Sequence, residues 1–155
     1  PGWDWLANIS WFGTPSMATV TIIVVSIWQN IGFLMIIYTA GLQTIPKDVM
    51  ESAELDGCSG LKKVLKIELP LLMPTVTINL FVSISGAFKS FDIPNAMTGG
   101  GPYGSTMPVA MNIYQEAFTK YNLGYGSAKS VILFLTVAAV TLIQLYCTRK
   151  KEVEY

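Results

Sequence analysis

The sequence predicts an all-α, polytopic membrane protein. Three runs carry no formal charge: Met17–Gly41, Leu71–Phe88 and Ser130–Thr148. Only 13% of residues are charged and 52% are hydrophobic, whereas soluble domains are about 25% charged. The densest cluster of charge lies in one loop between the first two runs. We therefore expect three transmembrane helices (about 17–41, 71–90 and 130–148), a helix-turn-helix in the charged loop 44–70, and a surface helix within loop 94–125.

The chain opens with Trp3, Trp5, Trp11 and Phe12 among Gly, Asp and Asn, an aromatic density that suits the membrane–water interface. It begins at Pro1 rather than Met, without a basic leader or cleavage site, and reads as the latter part of a longer protein. Met17–Gly41 is 25 residues long, about 37 Å as a helix, enough to cross a ~30 Å hydrocarbon core with tilt. Ser26, Gln29, Asn30 and Phe33 recur at i, i+3, i+4, i+7 and share one face. Amides near mid-membrane are costly against lipid and should face protein or a wet cavity. Interhelical hydrogen bonding serves them equally well.

In the charged loop, Pro46 fits a helical first turn, where its missing N–H costs nothing. Asp48 and Glu51 follow near the positive end of the helix dipole. Pro46, Val49, Met50 and Ala53 form an apolar stripe at helical spacing. Gly57 can take the left-handed conformation that ends the helix. Ser59 is the expected N-cap of a second helix carrying Leu61, Val64 and Leu65 on one side. Pro70 then bends the chain into the second run.

Leu71–Phe88 is about 27 Å long as a helix, and Lys89 can snorkel to extend it. Pro74 falls in the first turn, where it is tolerated. Asn79, Ser83, Gly86, Ala87 and Ser90 fall on one face; small residues there also permit close helix approach. Pro94 should end the helix, and Thr98-Gly99-Gly100-Gly101-Pro102 cannot hold a regular one. A phosphate loop is rejected: no Gly-Lys-Ser/Thr follows, and Pro102 lacks a backbone donor.

Residues 109–118 suggest a short amphipathic helix. Ser130–Thr148 is about 28 Å long as a helix, with Thr136, Thr141 and Gln144 assigned to packing, and Arg149-Lys150-Lys151 follow. Cations are concentrated in loop 42–70 and in this tail, so the positive-inside rule puts both in the cytoplasm and the glycine loop outside. The net charge is zero, giving no electrostatic case for nucleic acid. With no histidine and only Cys58 and Cys147, no metal site or disulfide framework is expected. No nucleophile, base or cofactor motif points to an enzyme.

The order Glu51-Ser52-Ala53, three residues, Gly57, nine residues, Ile67, one residue, Leu69-Pro70 resembles the EAA signature of binding-protein-dependent ABC importer permeases. Ser52 departs from the usual Ala, a small-for-small change. The Thr-Gly-Gly-Gly-Pro segment after a Phe-Asp-containing helix end resembles the sugar branch, particularly its maltose-transporter-like first membrane subunit. The resemblance covers nearly the whole chain and corresponds to the C-terminal half of such a subunit.

It implies that the charged loop is a coupling helix docking on a cytoplasmic ATPase subunit, with Glu51, Ser52, Ala53, Asp56, Gly57, Ile67, Leu69 and Pro70 transmitting motion. It also implies two membrane subunits around one pathway, an ATPase dimer, an extracytoplasmic solute-binding protein, and a bacterial inner-membrane location. No cofactor is expected in this chain, because ATP would be bound by the partner. The pathway residues would be Ser26, Gln29, Asn30, Phe33, Asn79, Ser83, Ala87 and Ser90, supplying hydrogen bonds and a ring face to a neutral polyol. Thr98, Gly99, Gly100, Gly101 and Pro102 would form an external loop. The alternatives are an ABC permease for a non-sugar solute and a non-transporting membrane anchor.

Overall fold

In the computed structural model, which describes residues 9–150, every regular element is helical. Helix α1 spans Pro15–Gln43, α2 Lys47–Leu55, α3 Leu61–Leu71 and α4 Met73–Phe88. Then come α5, Asp92–Thr98, and α6, Val109–Tyr114, continued as a wider π turn over Gln115–Thr119. Helix α7 spans Leu123–Arg149. Helices α1 and α7 are long and apolar enough to cross a membrane, and the bent pair α3 and α4 makes up to three spans. Trp3, Trp5 and Lys151 lie outside the described residues. Trp11 and Phe12 are exposed.

The bend between α3 and α4 is 69°. It falls at Leu72 rather than at Pro70, with a proline on either side. Pro70 cannot donate to the carbonyl four residues back and crowds it. The preceding turn accordingly widens into a π segment, Val64–Glu68, in which the Leu69 N–H reaches the Val64 carbonyl. Pro74 occupies the second position of α4, where an N–H would have no helical partner.

Three further sequence expectations are corrected. Ser59 is not a cap: Gly60 holds that position, with no side-chain cap bond. Pro94 does not end the α4 helix, which stops at Phe88. It is the third residue of α5, again where its missing donor costs nothing. The last span begins at Leu123 rather than Ser130, because the Lys129 charge is accommodated. Its Nζ donates to Asn112 Oδ1 at 2.7 Å, lies 3.7 Å from Glu116, and sits 4.4 Å over the Tyr125 ring.

The chain folds as two compact units, Pro1–Asn30 with Gly86–Thr136 and Ile31–Ser85 with Val137–Tyr155. In the first, Met111 is the largest fully buried side chain. The glycine loop folds over it: a Cβ on Gly100 would meet Met107 Cε at 3.0 Å and Met111 Cε at 3.5 Å. Thr98 and Thr106 share a 2.7 Å hydroxyl contact, and Thr106 Oγ1 donates to the Gly101 carbonyl at 2.6 Å. Phe91 meets Tyr114 edge-on, with centroids 5.2 Å apart.

In the second unit, α1 and α4 pack through Gly41 and Thr75. A Cβ on Gly41 would lie 2.8 Å from Thr75 Cγ2, so only glycine permits this approach. Helix α7 joins α4 through Gln144, whose Nε2 donates to the Thr77 carbonyl at 3.4 Å and to Thr148 Oγ1 at 3.2 Å.

Candidate functional site

The charged loop is a pair of short helices joined through a hydrogen-bonded turn. Helix α2 follows Pro46, which is extended at φ −61°, ψ 137°, and has Asp48 in its first turn. At its end Gly57 stands at φ +72°. The Cys58 N–H donates to the Ala53 carbonyl at 2.9 Å and the Gly57 N–H to the Glu54 carbonyl at 3.0 Å. This nested pair is a Schellman cap, and Ala53 and Cys58, at the two positions that commonly share an apolar contact in that motif, are both buried. Gly60 re-enters helix at φ 58°, ψ −137°, a region essentially restricted to glycine.

Lys63 Nζ donates to Glu54 Oε1 at 2.7 Å, tying α3 to α2. That hydrogen bond, and then the lysine charge, hold the Glu54 carboxyl below its ordinary value of 4.5. Sequence reasoning passed over Glu54, although a carboxylate nine residues before a lysine across two glycines carried the signal. The pair leaves Glu51 and Asp56 exposed and without an ion pair among the described residues. Ser52 and Leu69 are exposed, and Ile67 and Pro70 half-buried. In the same loop Leu55 is 89%, Leu61 79% and Leu65 61% exposed. The capped, cross-linked loop thus leaves several leucines and the Glu51 and Asp56 carboxylates exposed.

Residues 4–153 match the family of binding-protein-dependent transport system inner membrane components. The chain belongs to that family. Among similar permeases is the probable starch degradation products transport system permease of Thermoanaerobacterium thermosulfurigenes. It is 37% identical over 150 residues, covering 97% of this chain and 51% of that one. The sulfoquinovosyl glycerol transport system permease of Agrobacterium fabrum is 40% identical over 145 residues, 94% of this chain and 47% of the relative. The trehalose/maltose transport system permease of Thermococcus litoralis is 37% identical over 143 residues, 90% and 47% respectively. The chain thus spans about half the length of these relatives.

The polar faces of this permease chain divide by burial. Gln29 and Asn30 are exposed on α1, and Phe33 is exposed one turn on. Asn30 Nδ2 donates to the Ser26 carbonyl at 2.8 Å, which satisfies half of its amide within the helix. On α4, Ser83 and Ala87 are exposed, but Asn79 is only 3% exposed. Neither amide atom of Asn79 has a hydrogen-bond partner, nor does Gln144 Oε1. Ser90 lies beyond the end of α4, where it lines a cavity of about 250 Å³ with Thr19, Ser105, Thr106 and Met107. In the glycine segment, Gly99 caps α5 in the left-handed conformation, its N–H on the Asn95 carbonyl at 3.2 Å. Pro102 is half-buried. Among the described residues no cluster of His, Cys, Asp or Glu forms a metal set.

Proposed function

We propose that this chain is the pathway-forming and coupling part of a membrane subunit in an ATP-driven sugar importer. The observation that carries the proposal is the charged loop. Its Schellman cap and its Glu54–Lys63 bridge make it a rigid body, and Leu55, Leu61 and Leu65 project from it beside unpaired Glu51 and Asp56. A rigid amphipathic knob transmits displacement, where a flexible loop would absorb it.

In this reading the partner is a cytoplasmic ATPase dimer, which binds the nucleotide. A second membrane subunit completes the pathway, and an extracytoplasmic binding protein delivers the sugar to the side of the glycine loop. ATP-driven closure of the ATPase pair moves the loop with α3. The 69° bend at Leu72 converts that motion into a tilt of α4. The loop and the C-terminus are cytoplasmic by their cations.

Sugar as substrate is supported by the named transport functions of the relatives and by the amides and ring of Gln29, Asn30 and Phe33 on one helix. Uptake of a labelled oligosaccharide panel by cells expressing the full-length subunit tests this. Gln29→Leu with Asn30→Leu abolishes uptake at unchanged membrane abundance; uptake at the wild-type rate refutes the pathway assignment.

A further inference from the structure

Within the second unit, Pro74, Thr77, Ile78 and Phe81 of α4 and Leu145 and Arg149 of α7 line a groove of about 350 Å³. These residues recur at helical spacings along both axes, so the groove runs lengthwise between the helices. Ile78 and Phe81 are exposed. Arg149, in the last turn of α7, closes one end. Among the described residues no carboxylate pairs with it. Lys150 follows, its Nζ 4.2 Å over the Tyr146 ring, which sets a second cation and an interface aromatic at the same level.

We propose that this groove is a binding site for one anionic glycerophospholipid. An acyl chain lies along Pro74, Ile78, Phe81 and Leu145, and the phosphate is held by the Arg149 guanidinium. The charge distribution selects this occupant: an uncharged channel ending in a guanidinium with no carboxylate partner among the described residues complements a hydrocarbon chain ending in a phosphate. Arginine's planar fork matches phosphate oxygens in a way an ammonium does not. Basic pockets between membrane helices at the headgroup level bind anionic lipids on the same physics. The inference needs α4 and α7 to be in the bilayer, but not that the protein transports sugar.

The test uses the full-length subunit carrying Ile78→Trp, with its other tryptophans replaced, reconstituted in vesicles. Quenching is compared between brominated phosphatidylglycerol and brominated phosphatidylcholine. The expected result is preferential quenching by phosphatidylglycerol, with a relative binding constant about fivefold higher. Arg149→Gln removes the preference, Arg149→Lys retains part of it, and Lys150→Gln changes it less than Arg149→Gln does. Equal quenching by both lipids overturns the proposal, because the groove is then ordinary lipid annulus. Absence of quenching by either also overturns it, because protein from the rest of the full chain then covers the groove.

Discussion

Gly57 and Gly60 flank the joint of the charged loop, and both have positive φ for different reasons. Gly57 sits in a Schellman cap at φ +72°, a conformation that asparagine also adopts. Gly60 stands at φ 58°, ψ −137°, where any Cβ is strained. Neither position is crowded, since a Cβ at either would meet nothing within 4 Å. Substitution therefore reports backbone strain alone. Gly57→Ala costs about 1–2 kcal/mol, which is a factor of roughly 5–30 in the opening equilibrium of the cap. Gly57→Asn recovers most of that cost, whereas Gly60→Asn recovers none of the cost of Gly60→Ala.

Cys58 is the reporter, because it is buried and its N–H makes the outer bond of the cap, to the Ala53 carbonyl. The assay is the rate of maleimide alkylation of Cys58 in the full-length subunit, with its other cysteines replaced by serine. Gly57→Ala accelerates labelling by about 5–30-fold, Gly57→Asn stays within about twofold of wild type, and both Gly60 variants accelerate it. Equal acceleration by Gly57→Asn and Gly57→Ala would refute the assigned cap. An unaltered rate in all four would show that the joint does not govern the loop.

Two further outcomes follow from individual groups. The Glu54 carboxyl is depressed in the folded loop by its Lys63 hydrogen bond, so its stabilisation is complete above the ordinary value of 4.5 and is lost as pH falls through the lowered folded value. Cys58 protection therefore holds steady down to the ordinary carboxylate range, declines in stronger acid, and does so less in Glu54→Gln; an equal decline in that variant removes Glu54 from the explanation. Asn79 is buried with an unpaired amide. Replacing it with Leu is neutral or stabilising by about 1–2 kcal/mol in thermal unfolding of the purified subunit, and uptake persists. Loss of uptake at normal abundance would place Asn79 in the solute path.

Much of the fold was legible because its signals are local. Uncharged length gave α1 and most of α7, and the glycine at position 57 gave the end of α2. What escaped was non-local. Lys129 looked like a boundary until Asn112 and Glu116, from another helix, were seen to take its charge. Pro94 looked like a stop because a proline that ends one helix and a proline that starts the next read alike in sequence. Ser59 yielded to Gly60 because the backbone needed a conformation that only glycine supplies there. Among the candidate site residues, helical spacing gave the faces on α1 and α4 but not burial, so Asn79 was grouped with Ser83 and Ala87, from which its burial separates it. The use of Glu54 inside the loop, leaving Glu51 and Asp56 without an ion pair among the described residues, depends on a fold-back that spacing alone does not encode.

The most direct measurement is co-purification of the full-length subunit from membranes, with bound proteins identified by mass spectrometry, for wild type and for Glu51→Lys combined with Leu61→Asp. The account predicts an ATPase subunit with wild type and its loss from the double variant, while the altered subunit still inserts in the membrane. Retention of the ATPase by the variant, or its absence from wild type, would contradict the coupling role assigned to the loop.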